Sequence, residues 1–168
     1  IYHNILKAIT YLLSGNLSEL SLIVFATLLG LPSPLIPTQI LWINLITDGL
    51  PALALASDNK DPDLIRDGPR DPKSPILSKE RGIFIAAVGF SLALILLLIF
   101  YVILNVGGSE TLARTVVFNT LIFFHMALAF VVRGKSLFKF NPFLVWGGLG
   151  ILIIQIIITF TPFFQKIF

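Results

Sequence analysis

The 168 residues are 56% hydrophobic and only 12% charged, with no cysteine and a formal net charge of +3 at pH 7. Together with a mean hydropathy of +0.93, this excludes an ordinary soluble domain and describes a polytopic membrane protein. The lack of cysteine excludes disulfide frameworks, thiolate nucleophiles and sulfur metal ligands, so a bound metal is held by oxygen or imidazole, which favours hard cations.

The chain opens on "IYHNILKAITYLL", which has neither the basic n-region nor the small-residue cleavage site of a signal peptide, and it is expected to be an excerpt of a longer polypeptide. Crossing a hydrocarbon core of about 30 Å takes about 20 mostly apolar helical residues. Five stretches qualify, at about 9–31, 35–56, 83–106, 112–132 and 143–161. The run "FIAAVGFSLALILLLIFYVIL" is continuously apolar, unlike the short alternating strands of a barrel. The expected class is therefore an all-α transmembrane bundle in a lipid bilayer, its second helix broken near Gly49 and Pro51.

Lys7, Lys60, Arg66, Arg70, Lys73, Lys79, Arg81, Arg133, Lys135 and Lys139 fall on one side of these spans, and only Arg114 and Lys166 on the other. The positive-inside rule then puts the N-terminus and the loop 57–82 in the cytoplasm, and the short connections at 30–37 and 106–111 outside. That loop, with six acids, six bases and four prolines, reads as a solvated connector or as a docking surface for a cytoplasmic domain. No internal repeat, phosphate-binding glycine loop or nucleic-acid module is present, so nucleic acid is not an expected partner.

Of the nine acids, only Glu19 and Asp48 lie within spans. A mid-bilayer aspartate costs roughly 2.5–3.5 kcal/mol on insertion scales, which makes it a site facing a bundle interior or a cavity. Asn44, Thr47 and Asp48 stand at i, i+3 and i+4, and Asn16 and Glu19 at i and i+3, so each set shares a helix face. A helix interrupted at Gly49 and Pro51 would free backbone carbonyls as further ligands. Many oxygen ligands with carboxylate charge suit Ca²⁺ better than the octahedral, tightly hydrated Mg²⁺. The same residues also admit a structural reading, as interhelical hydrogen-bonding glue. Asn119 and Gln155 read as interhelical contacts, Tyr11, Trp42, Tyr101 and Trp146 as packing or interfacial aromatics, and Gly147, Gly148 and Gly150 as a close-packing face behind Pro142.

The segments "YLLSGNLSEL", "GLPSPLIPTQILWINLITDGLPALALA" and "PRDPKSPIL" resemble the fifth and sixth transmembrane helices and the following loop of P-type cation ATPases, above all the calcium pumps of the sarcoplasmic reticulum type. The resemblance extends by order and hydropathy through the ninth helix. It implies a transported Ca²⁺ held by Asn16, Glu19, Asn44, Thr47 and Asp48, with Asp48 shared between two sites, Asn44 in the second, and Asn16, Glu19 and Thr47 in the first. Sodium and proton pumps usually carry Asp where Asn44 stands, which favours calcium. Where two-site calcium pumps place a glutamate of the eighth helix, this chain has His125. A neutral imidazole is a poor Ca²⁺ ligand and a protonated one repels the ion, so one Ca²⁺ per cycle is expected, with His125 in an ion-site or proton role.

The family's "DKTGT" phosphorylation motif is absent from these residues. The resemblance assigns ATP and Mg²⁺ to cytoplasmic domains elsewhere, and implies as partners that headpiece and transmembrane helices one to four and ten. The plasma membrane is the expected location. The alternatives are a pump for Mn²⁺, Na⁺ or H⁺, and a non-enzymatic membrane bundle or channel whose acids are structural.

Overall fold

A computed structural model describes residues 2–58, 77–134 and 141–168, and every regular element among them is helical. Helix α1 runs Tyr2–Leu28. The second crossing is composite: α2 (Pro37–Trp42), a π-helical turn (Ile43–Thr47), and α3 (Gly49–Ala56). Helices α4 (Lys79–Asn105), α5 (Glu110–Arg133) and α6 (Pro142–Phe160) follow, and a 3-10 turn at Phe164–Lys166 comes last. With α2 and α3 taken as one crossing, five helices are long and apolar enough to span a membrane, in the order expected from hydropathy.

Local chemistry sets the ends. Ser78 and Ser109 accept from the backbone N–H groups of Arg81 and Leu112 at 3.3 and 3.1 Å, capping α4 and α5. Asn141 does the same for Leu144 at 3.0 Å, and Pro142 opens α6 where its missing N–H costs nothing. Helices α1 and α4 end on Gly30 and Gly107, both with positive φ. The amides that follow reach back five residues, from Leu31 to Ala26 at 2.9 Å and from Gly108 to Ile103 at 2.9 Å.

Helix α1 starts at Tyr2, well before the boundary expected near residue 9, and the hydroxyls along its buried face satisfy themselves on the helix backbone. Thr10 donates to the Leu6 carbonyl at 2.7 Å, Ser14 to Thr10 at 2.8 Å and Ser18 to Gly15 at 2.7 Å. The expected loop 57–82 is described only at its ends: residues 59–76 lie outside the described residues, and α4 already begins at Lys79.

The crossings alternate in direction. Residues 4, 58, 133 and 141 meet at one end, while at the other Arg114 donates to the Ser33 carbonyl at 2.8 Å, and Thr38 and Gln39 donate to the carbonyls of Ile167 and Phe168, each at 2.8 Å. Two apolar clusters fill the interior. The first joins Leu22, Ala26, Ile43, Leu96, Phe100, Leu121, Ile122 and Ile151. The second, nearer the 4/58/133 end, joins Ala8, Tyr11, Ala52, Leu55, Leu128, Ala129 and Leu144. The buried polar residues of α1, the π turn and α5 lie in sequence between these clusters, at Gly15–Glu19, Thr47–Asp48 and His125.

Close backbone approach occurs at Gly89, where a Cβ would stand 2.9 Å from Leu17, and at Gly15. The glycine face of α6 is different from expectation. Beside Gly147 and Gly150 a Cβ would meet nothing within 4 Å among the described residues, and beside Gly148 only the Met126 sulfur at 3.6 Å.

Candidate cation site

The break in the second crossing lies one turn ahead of Gly49–Pro51. The Asp48 N–H donates to Ile43 at 2.8 Å, a five-residue step that widens the helix over Ile43–Thr47, and the four-residue pattern returns with Ala52 to Asp48 at 3.1 Å. Pro51 sits in the first turn of α3. Its missing N–H deprives the Thr47 carbonyl of the donor a regular helix would supply. Tyr11 of α1 fills that role, its hydroxyl lying 3.1 Å from the Thr47 carbonyl and 3.2 Å from Asp48 Oδ1. The freed carbonyl is therefore held by Tyr11 and is not a spare ligand. Tyr11 itself is 1% exposed, so it is a member of the site and not an interfacial aromatic.

Tyr11, Gly15 and Glu19 recur every four residues, which places them on one face of α1. Across from them stand Asp48 and, from the middle of α5, His125; both are essentially unexposed. His125 Nδ1 lies 2.7 Å from Asp48 Oδ1, and its ring meets the Tyr11 ring edge to face at 6.3 Å. Gly15 makes the approach possible, since a Cβ there would lie 3.0 Å from His125 Cε1 and 3.4 Å from Asp48 Oδ2.

Glu19, Asp48 and His125 each offer one candidate ligand atom within 4.8 Å of the others. Two carboxylates so close repel by roughly 3 kcal/mol at an effective dielectric of about 20, and a cation between them reverses the sign. Buried polar groups are ordinarily paired. Here Glu19 Oε1, Asp48 Oδ2 and His125 Nε2 are buried without a hydrogen-bond partner among the described residues. Three buried atoms without partners among the described residues, on three converging side chains, form a cluster that could hold a cation.

The remaining expected ligands differ in their placement. Asn44 is exposed, and its amide nitrogen donates to Glu19 Oε2 at 3.1 Å and to the Ile40 carbonyl at 2.9 Å, which leaves Oδ1 as its atom for a cation. Thr47 is buried, but its hydroxyl points to the Trp42 carbonyl at 3.4 Å. Asn16 is exposed three residues before Glu19 and makes no hydrogen bond among the described residues. Gln155 donates to Asn119 at 3.0 Å, which makes them the interhelical contact expected.

A second buried polar group occupies the end that carries Lys7, Arg81 and Arg133, and no sequence pattern announced it. Arg133 Nε and Nη2 donate to Asp58 Oδ2 and Oδ1 at 2.8 and 3.1 Å. Asn141 donates to Asp58 Oδ1 at 2.9 Å, and Asn4 to the Asp58 carbonyl at 2.6 Å. Asp58 and Arg133, taken as a loop acid and a topology-setting base, are thus a buried ion pair joining α1, α3, α5 and α6.

Five apolar crossings around a buried carboxylate–imidazole cluster define an integral, multi-pass membrane protein of the ion-handling kind. Residues 32–168 match the family described as "Cation transporting ATPase, C-terminus", and the chain belongs to that family of P-type cation ATPases. It is 37% identical over 175 residues to a calcium-transporting ATPase of Bacillus subtilis (strain 168), covering all of this chain and 20% of that protein. It is also 34% identical over 174 residues to the calcium-transporting ATPase type 2C member 1 of Mus musculus and of Bos taurus, covering all of this chain and 19% and 18% of those proteins. The chain thus spans about a fifth of the length of the curated relatives it matches.

Proposed function

We propose that residues 1–168 form one membrane unit, helices five to nine, of an ATP-driven calcium pump related to the sarcoplasmic reticulum type, exporting Ca²⁺ from the cytoplasm across the plasma membrane. Family membership and the names of the relatives support the class. The observation that carries the ion site is the convergence of Glu19, Asp48 and His125 with one buried, unpaired atom on each.

In this reading Glu19 and Asp48 supply carboxylate charge, Asn44 Oδ1 an amide oxygen, and Tyr11 holds the widened turn in place. Asn16 and Asn44 lie exposed on the Glu19 side, where helices from the rest of the pump would complete the coordination. His125 stands where, by the family resemblance, a glutamate would complete the first site, which supports one Ca²⁺ per cycle at the site built around Asn44 and Asp48. ATP and Mg²⁺ act on the cytoplasmic headpiece, and α1 carries the resulting motion into the membrane. Because Tyr11, Gly15 and Glu19 share one face of α1, a small shift of that helix alters three contacts to Asp48 and His125 at once. Moving a population from 1:99 to 99:1 takes about a 10⁴-fold difference in affinity, or about 5.5 kcal/mol. Separating two carboxylates from a desolvated divalent cation is of that scale.

The test is ATP hydrolysis by the full-length protein in proteoliposomes, titrated with free Ca²⁺, Mn²⁺ and Na⁺ beside the Asp48→Asn variant. Micromolar Ca²⁺ stimulation that the variant loses is the expected result. Stimulation by Na⁺ or Mn²⁺ alone would replace calcium with another ion, and hydrolysis indifferent to the substitution would make Asp48 structural.

A further inference from the structure

Each of the two buried carboxylates has one oxygen taken and one bare. An ionised Asp48 has only acceptor atoms, so the 2.7 Å contact at Oδ1 requires His125 Nδ1 to donate. The Tyr11 hydroxyl, shared with the Thr47 carbonyl, reaches the same oxygen at 3.2 Å. Asp48 Oδ2 has no partner among the described residues. Glu19 repeats the pattern: Oε2 accepts from the Asn44 amide at 3.1 Å, and Oε1 has no partner among the described residues. The imidazole is itself held in place. Its ring stands edge to face on Tyr11 at 6.3 Å, and a Cβ at Gly15 would lie 3.0 Å from Cε1 and 3.3 Å from Nε2. Nε2 is on the edge of the ring away from the Asp48 contact, so His125 meets Asp48 as a hydrogen-bond donor and not as a co-ligand of an ion that Asp48 holds.

Resting on the reading of this cluster as a cation site, we infer that His125, with Tyr11, is a positioning residue: it ties Asp48 Oδ1, as Asn44 ties Glu19 Oε2, so that each carboxylate meets the transported Ca²⁺ through its one bare oxygen. A carboxylate binds Ca²⁺ through one oxygen or through two, and the hydrogen bonds it accepts fix its orientation. For Asp48 to swing Oδ1 onto the ion as well, the 2.7 Å bond from His125 would have to break. That would leave a buried donor unpaired. A carboxylate tied at one oxygen also serves a single ion, since bridging two ions takes both oxygens. The one-ion expectation thereby gains a cause in this chain's own hydrogen bonds: His125 acts on the ion through Asp48 without touching it. Asn44 has two tasks on the same terms, its nitrogen orienting Glu19 while Oδ1 is left for the cation.

The experiment uses the full-length protein purified in detergent, with Ca²⁺ as the probe and two readouts. One is equilibrium binding of radiolabelled Ca²⁺. The other is the infrared difference spectrum on adding Ca²⁺, in which a carboxylate bound through one oxygen separates its antisymmetric and symmetric stretches more widely than one bound through two. Wild-type protein is expected to show the wide separation, in bands that Asp48→Asn removes in part. His125→Leu deletes the donor and is expected to weaken Ca²⁺ binding about 10–100-fold and to narrow the separation as Asp48 turns both oxygens to the ion. His125→Asn sets an amide donor near the position of Nδ1 and is expected to recover most of that affinity, whereas the longer His125→Gln, whose amide reaches toward the position of Nε2, is expected to behave like His125→Leu. The wild-type spectrum decides the matter even if no variant folds. A narrow separation in wild type, wild-type affinity in His125→Leu, or equal losses in His125→Asn and His125→Leu would each overturn the inference and leave the cation-site reading standing. Wild-type protein that binds no Ca²⁺ would overturn that reading, and this inference with it.

Discussion

The molecule buries two polar clusters, and they are built on opposite terms. At the Lys7/Arg133 end, one aspartate meets one arginine in a two-pronged pair, and Asn141 and Asn4 also donate to that aspartate. Among the described residues the carboxylate and the guanidinium are both hydrogen-bonded. Between the apolar clusters, two carboxylates and an imidazole converge, and one atom of each is left unpaired. Buried polar atoms without partners are costly, and three of them together are what the proposed cation site would explain. On the hydrogen bonds among the described residues we read the first cluster as a fastening and the second as the proposed receptor; burial and charge alone do not tell them apart.

Substitutions separate the two, starting with the largest effect. Asp48→Asn is expected to abolish Ca²⁺-stimulated ATP hydrolysis of the full-length protein, by about 100-fold or more, since it removes a desolvated charge facing a divalent ion. The same change is expected to leave thermal stability in Ca²⁺-free buffer unchanged or raised, because it relieves carboxylate repulsion, and a scan of the purified variant measures this. Arg133→Leu is expected to show the opposite pattern, destabilising by about 3–5 kcal/mol because the buried Asp58 carboxylate loses its two-pronged guanidinium contact. Adding Asp58→Leu is expected to restore most of the loss, read as recovery of the unfolding midpoint at a fixed scan rate. If Arg133→Leu cost no more than a surface change, the fastening would be no fastening.

Gly15→Ala probes the receptor without touching a charge. Its Cβ would press on His125 Cε1 at 3.0 Å inside a packed interior, and overpacking of about 1–3 kcal/mol is expected to appear as a roughly tenfold weaker Ca²⁺ affinity in equilibrium binding. Tyr11→Phe is the mildest. It removes the donor to Thr47 and Asp48 and is expected to cost about 1–2 kcal/mol of stability, measurable by thermal scan, with the number of bound ions unchanged.

Much of this was legible in the sequence. The five crossings follow from hydropathy, and Glu19 and Asp48 stand out because acids in apolar spans are rare. His125 was visible only through the family resemblance. What stayed hidden is what tertiary contact decides. Pro51 marked a disturbed helix, but the widened turn falls upstream at Ile43–Thr47, where no residue type announces it. Tyr11 looked like any membrane aromatic until its hydroxyl found the carbonyl that Pro51 leaves bare. Gly15 carried no flag, while the more conspicuous glycines at 147 and 150 touch nothing among the described residues. Asp58 and Arg133 sit 75 positions apart, and each alone resembled an ordinary charge at a span end. Asn16 shares Glu19's side of α1 by spacing, yet it is exposed where Glu19 is buried, because helical spacing of three places residues near one another without giving them the same environment.

Equilibrium binding of radiolabelled Ca²⁺ to the purified full-length protein, wild type beside Asp48→Asn, tests the central claim most directly. One Ca²⁺ per molecule in wild type and none in the variant is the outcome the cluster predicts. Two per molecule, or binding that survives the loss of the Asp48 charge, would contradict it.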